Sequence, residues 1–170
     1  MSPHTAARAN FNGETGRVSR TYMDQGYRKW RDQFNNWFID YLNQTDNALL
    51  NYLTSMSDGR PIRNEATAQL IPDFNGYLVR IIFVLKRPKN SKRTFPVASN
   101  TADLDNLYKA ITDGIFESEP ARYVGLNDRW IQTLQTSKRY TALNTAEQPH
   151  IEVEIKRIEE IGRASCRERV

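Results

Sequence analysis

Residues 77–88, YLVRIIFVLKRP, constrain the fold more than any other stretch of this chain. The run is rich in β-branched and aromatic side chains, which suit a pleated, buried surface, and only Arg80 interrupts its apolar character before the basic end. Pro88 closes it, because proline has no N–H to give to a strand ladder. The segment therefore reads as a central, well-buried strand, and the rest of the chain must supply what covers it.

Helical patterns flank this strand on both sides. From Asp24 onward, Tyr27, Trp30, Phe34, Trp37, Phe38 and Tyr41 recur at steps of three and four, which predicts an amphipathic helix to about Leu42 whose aromatic stripe is core packing. A second helical stretch is expected over Asn47–Met56, followed by the turn-rich loop SDGRPIRNE. Beyond the strand, the basic loop KRPKNSKR leads into ADLDNLYKAITDGIF, where Leu104, Leu107, Tyr108, Ile111 and Ile115 form one apolar helical face. ESEPARYVGLND reads as a loop, and RWIQTLQTSKRY as a strand beginning near Trp130. In HIEVEIKRI, Ile151, Val153 and Ile155 alternate with Glu152, Glu154 and Lys156, the pattern of a half-buried strand. The order predicts an α+β domain: a two-layer sandwich of a small mixed sheet with helices on one face.

That domain is expected over residues 21–159. Residues 1–20 are polar, carry Asn-Gly and Gly-Glu-Thr-Gly turn signals, and read as a flexible arm. The other end is unlike the rest. IGRASCRERV can be back-translated, one codon per residue, into a sequence that resembles a common short-read sequencing adapter, so residues 160–170 read as an assembly artefact and are excluded from fold reasoning. Cys166, the only cysteine, falls inside that tail, which leaves the remainder without disulfides, thiol nucleophiles or cysteine metal ligands.

Composition narrows the function. No apolar run approaches the roughly 20 residues of a membrane span, so no membrane partner is expected, and with no signal-peptide pattern the reading is cytoplasmic. The formal net charge is +4, with basic residues gathered in Arg17–Arg31, Lys86–Arg93 and Thr136–Tyr140 and acids between Asp103 and Asp128. A basic surface around an acidic pocket suits a metal-using enzyme that acts on nucleic acid.

The acidic helix start is the candidate site. Lys109 lies one turn beyond Asp105 on the same face, and Asp113 one turn further. Asp103, at or before the first turn, is free to swing toward Asp105, and two carboxylates that close repel one another unless a cation or proton lies between them. With only His4 and His150 available, zinc is disfavoured, and oxygen ligands favour Mg²⁺, with Mn²⁺ as the alternative. The purely structural reading makes Asp103 an N-cap, Asp105 a dipole-favoured acid and Lys109 its salt-bridge partner.

DLDNLYKAITDGIF followed by GLNDRWI resembles the RusA-like Holliday junction resolvases, many of them carried by bacteriophages. The resemblance runs from about Arg20 to Ile155 and takes in RTYMDQGYRKW and the strand leading into a basic loop. It implies a RusA-like fold and a Mg²⁺-dependent, structure-selective endonuclease that cuts four-way DNA junctions symmetrically as a homodimer, in a bacterial cell and in recombination, repair or phage DNA processing. It places metal-binding catalytic aspartates at Asp103, Asp105 and Asp128 and a catalytic lysine at Lys109, with Asn106 and Asp113 in support. Arg87, Lys89, Lys92 and Arg93 are then the residues expected to hold DNA phosphates. Three departures stand beside the match: the family's first strand is reduced to PHTAARANF, Asn127-Asp128 replaces an acidic pair, and the loop from Glu117 to Gly125 is long enough for Glu117 or Glu119 to lend a ligand. A catalytically weak junction-binding protein is the competing expectation. A D-x-D sugar-nucleotide transferase is disfavoured by the absence of a nucleotide-binding βαβ pattern.

Overall fold

A computed structural model of the chain describes residues 25–97 and 103–159, together with the backbone of Phe11–Asn12 and Arg17–Val18. In chain order the elements are β1 (Phe11–Asn12), β2 (Arg17–Val18), α1 (Gln25–Gln44), α2 (Ala48–Leu53), β3 (Tyr77–Leu85), α3 (Leu104–Phe116), α4 (Glu119–Tyr123), β4 (Ile131–Tyr140) and β5 (His150–Arg157). β1 and β2 pair antiparallel, so the region read as an arm carries a short ladder; the rest of residues 1–20, and residues 160–170, lie outside the described residues.

The larger sheet is mixed and small, in the order β4-β3-β5. β3 is its centre, as its apolar run predicts: it pairs parallel with β4 and antiparallel with β5, from Tyr77 opposite Arg157 to Val84 opposite His150. Alternation along β3 buries Tyr77, Val79, Ile81 and Phe83 while Arg80 is exposed. Those four residues join Tyr27, Trp30, Phe34 and Phe38 of α1 and Leu107, Ala110, Ile111 and Ile115 of α3 in one core. The α1 stripe packs ring upon ring, with the Trp30 and Phe34 centroids 5.3 Å apart, but Trp37 and Tyr41 stay partly exposed and line a groove with Ile111, Ile151 and Val153. α1 and α3 meet closely at Gly114, where a Cβ would lie 2.7 Å from two ring carbons of Phe34.

The parallel pairing of β3 with β4 decides the layout of the site. A parallel neighbour requires the connecting segment to travel back along the sheet, and α3 lies in that crossover. α3 therefore begins near the end where β3 finishes, and ends near the end where β4 starts. Among the described residues no helix is long and apolar enough to cross a membrane.

Candidate metal centre

Positions 105, 109, 113 and 117 are spaced by four along α3 and its C-terminal cap, so Asp105, Lys109, Asp113 and Glu117 follow one side of the helix. At its start, Asp103 occupies the N-cap with extended backbone and makes no side-chain capping bond. Asp105 Oδ1 accepts the N–H of Asn106 at 2.9 Å, and both aspartates are exposed. Two turns later the environment changes: Asp113 is only 8% exposed, with Lys109 Nζ 3.6 Å from its Oδ2.

The chain after α3 turns back on the helix end. Glu117 donates its N–H to Asp113 at 2.9 Å, the last α-type bond, and Ser118 Oγ then accepts the N–H of Ala121 at 3.3 Å to start α4. Leu126, buried, donates its N–H to Ala121 at 2.9 Å. Asn127 Oδ1 accepts the N–H of Arg129 at 3.0 Å, and a single 3-10 turn over Asp128–Trp130 leads into β4. These turns bring Asp128 to the end of α3. One oxygen from each of Asp113, Glu117 and Asp128 lies within 4.8 Å of the other two.

Arg31 of α1 reaches the group through Glu117. Its Nη2 donates to Glu117 Oε2 at 3.2 Å and its Nη1 to the Tyr27 hydroxyl at 3.4 Å. Burial works against the Arg31 charge, but the hydrogen bonds to Glu117 and Tyr27 outweigh it and hold its pKa above the ordinary arginine value. Burial also pushes the Asp113 carboxyl upward, the Glu117 carboxylate adds to the rise, and Lys109 and Arg31 counter it in part. Three carboxylates facing two cations leave a net negative site.

The residues fit a hard divalent cation. Oxygens sharing one Mg²⁺ at roughly 2.1 Å lie about 3–4 Å apart, against separations of up to 4.8 Å in the trio. Each carboxylate has a second oxygen besides the one engaged with Lys109 or Arg31, and no nitrogen or sulfur ligand is among the three.

The expected residues divide between the two ends of α3. Asp128 meets Asp113 and Glu117 rather than Asp103 and Asp105, which belong to no three-ligand group among the described residues. At 1.5 Å per residue, Asp105 lies about 12 Å and Asp103 about 15 Å along the axis from Asp113. Lys109 stands between, and Asn106 is half-buried in the first turn. The cause is the parallel crossover, which keeps the start of β4 away from the start of α3.

Lys89, Lys92 and Arg93 are exposed on the loop after β3, at the Asp105 end. Arg87 is engaged internally: its guanidinium donates to the carbonyls of Thr141 (2.9 Å), Ser91 (3.1 Å) and Arg93 (2.5 Å) and lies over the Tyr140 ring. These contacts give Arg87 a structural role beside the phosphate contact expected of it. Arg31 was not singled out by the sequence reading; it stands in a basic run, and only the packing of α1 on α3 brings it to Glu117. Comparison with protein-family models, with curated proteins and with solved structures gives no match for this chain.

Proposed function

We propose that this chain is a Mg²⁺-dependent endonuclease of the RusA-like kind, cutting four-way DNA junctions by paired phosphodiester hydrolysis as a homodimer, with Mn²⁺ an alternative metal. The observation that carries the reading is the convergence of Asp113, Glu117 and Asp128, with Lys109 and Arg31 on its rim. The D-L-D-N-L-x-x-K helix with its downstream aspartate, and an α+β order of elements around a mixed sheet, support a RusA-like fold as part of the same proposal.

Asp113, Glu117 and Asp128 would hold the ion. When bound, it would supply an activated water and neutralise charge developing on the phosphate. A cation would favour the ionised form of Asp113, which burial and the neighbouring Glu117 carboxylate disfavour. Lys109 and Arg31 offer charged donors to the non-bridging phosphate oxygens. Lys89, Lys92 and Arg93 follow the far end of the nine-residue β3, itself about 26 Å long at about 3.3 Å per residue, where they would hold a flanking duplex arm by its phosphates.

One observation favours the second reading, a junction-binding protein with little catalysis. Lys109 and Arg31 already pair with two of the three carboxylates, an arrangement that also serves as a closed ion-pair network. A synthetic four-way junction incubated with the protein and Mg²⁺ separates the two. Paired symmetric nicks that vanish in Asp128→Asn while junction binding persists support the nuclease; binding without nicks by the unmodified protein supports the alternative.

A further inference from the structure

Asp128 sits in a short connection whose position must be set by something other than strand pairing, since β4 begins only at Ile131. Its two flanks share one partner. Arg63, in the connection between α2 and β3, donates from Nη2 to the Gly125 carbonyl at 2.8 Å, and its guanidinium carbon lies 5.2 Å above the centre of the Trp130 ring. Gly125 precedes Asp128 by three residues and Trp130 follows it by two.

Both contacts are built closely. Gly125 has φ +76°, a backbone conformation that favours glycine, and a Cβ there would meet the Arg63 guanidinium at 3.3 Å. Trp130 is also held edge-on by Phe74, with ring centroids 5.5 Å apart. The base from which Arg63 reaches is itself anchored. Ile62 is buried, donates its N–H to Thr54 at 2.9 Å and accepts from Ile71 at 2.8 Å, and Arg63 and Leu70 form an isolated antiparallel bridge.

The choice of side chain is informative. Arg63 Nε is buried without a hydrogen-bond partner, an energetic penalty that an apolar residue covering Trp130 would avoid. An apolar residue could not, however, hold the Gly125 carbonyl. We propose that Arg63 is a positioning residue: it clamps Gly125 and Trp130 and so fixes Asp128 against Asp113 and Glu117. The metal-related part of this inference rests on the reading of the carboxylate trio as a metal centre.

The test uses Arg63→Met, which keeps length and apolar cover, and Arg63→Lys, which keeps a cation and a donor. Amide hydrogen exchange is measured over residues 126–130, and Mn²⁺ binding is followed by electron paramagnetic resonance of the free ion. In Arg63→Met, exchange over 126–130 should quicken about tenfold while β3 amides are unchanged, the signature of a local opening. The Mn²⁺ Kd should rise about tenfold, as for loss of a group that orients a ligand, with Arg63→Lys in between. That rise should disappear in an Asp128→Asn background. Unchanged exchange over 126–130 in folded Arg63→Met, or a Kd increase that persists without Asp128, overturns the clamp. Faster exchange in a protein whose unmodified form takes up no Mn²⁺ upholds the clamp and removes the metal reading instead. Should Arg63→Met fail to fold, Arg63→Lys alone decides between the same outcomes.

Discussion

At the end of the sheet where β3 runs toward α3, carboxylates and basic residues are plentiful but separate: Asp103 and Asp105 are exposed, Asp103 makes no capping bond, and Lys89, Lys92 and Arg93 stand in solvent. At the opposite end, where α3 gives way to β4, Asp113 is buried and Glu117, Asp128, Lys109 and Arg31 crowd around it. The first end is dense in sequence and open in space. The second draws its groups from three separate parts of the chain, and there the burial of Asp113 raises the energetic stakes of its own charge, while Glu117, Asp128 and Lys109 remain exposed. Strand direction, more than motif density, determines where charges of one sign are forced together.

The strongest way to break this comparison is to neutralise one carboxylate at each end. Asp128→Asn should slow junction cleavage roughly a thousandfold, equivalent to about 4 kcal/mol of lost transition-state stabilisation, whereas Asp105→Asn should stay within about tenfold of the unmodified protein. The reverse ranking would move the centre to the start of α3. Gly114→Ala probes the seam that holds α3 in place. A methyl group 2.7 Å from the Phe34 ring should lower stability by about 1–3 kcal/mol in urea unfolding, and should weaken Mn²⁺ binding as the helix end shifts.

Two smaller effects sharpen the picture of the basic end. Arg87→Ala removes three donations to carbonyls and should lower stability by about 1–2 kcal/mol, whereas Lys92→Ala should leave stability alone and reduce the salt dependence of DNA binding by about one unit of slope. Equal salt effects from both variants would place Arg87 among the phosphate contacts as well. The smallest change concerns acid. Glu147, in the β4–β5 loop, is pulled down to about 2 by its hydrogen bonds from Arg139 and the Ala142 N–H, below its ordinary 4.5. A carboxylate lowered in the folded state contributes stability that is present above about pH 4.5 and lost as pH falls toward 2. Glu147→Gln should flatten stability against pH in that window and leave cleavage at neutral pH unchanged.

Much of the architecture was legible from pattern. The apolar run of β3 and the three-and-four spacing of α1 and α3 each report a face buried against a core, a local property of sequence. The alternation in β5 gave the strand, but only Ile151 and Ile155 are partly buried and Val153 is exposed. The five-residue α4 escaped because it buries only Ala121 and offers no periodicity, although Ser118 as cap and Pro120 beside it were a readable start signal. The acidic stripe of α3 was equally readable, and the long loop already pointed to Glu117 or Glu119. The sequence reading grouped Asp128 with Asp103 and Asp105 at the start of that stripe, whereas it lies with Asp113 and Glu117 at the end. A helix between neighbouring strands argues for a parallel pair, and that inference alone would have directed Asp128 to Asp113. Arg31 had no comparable signal, because its role depends on how two helices distant in the chain pack.

The central strand also imposes an order on events. β3 finds one neighbour in β4 but must wait for the other, since Tyr77 pairs with Arg157 at the far end of the described sheet. While the chain is being synthesised, β3, α3 and the turn bearing Asp128 all exist before His150–Arg157 does, and during that interval one edge of β3 is bare, a state in which unpaired strands are prone to associate. Asp113, Glu117 and Asp128 thus all precede, in the order of synthesis, the strand that covers that edge.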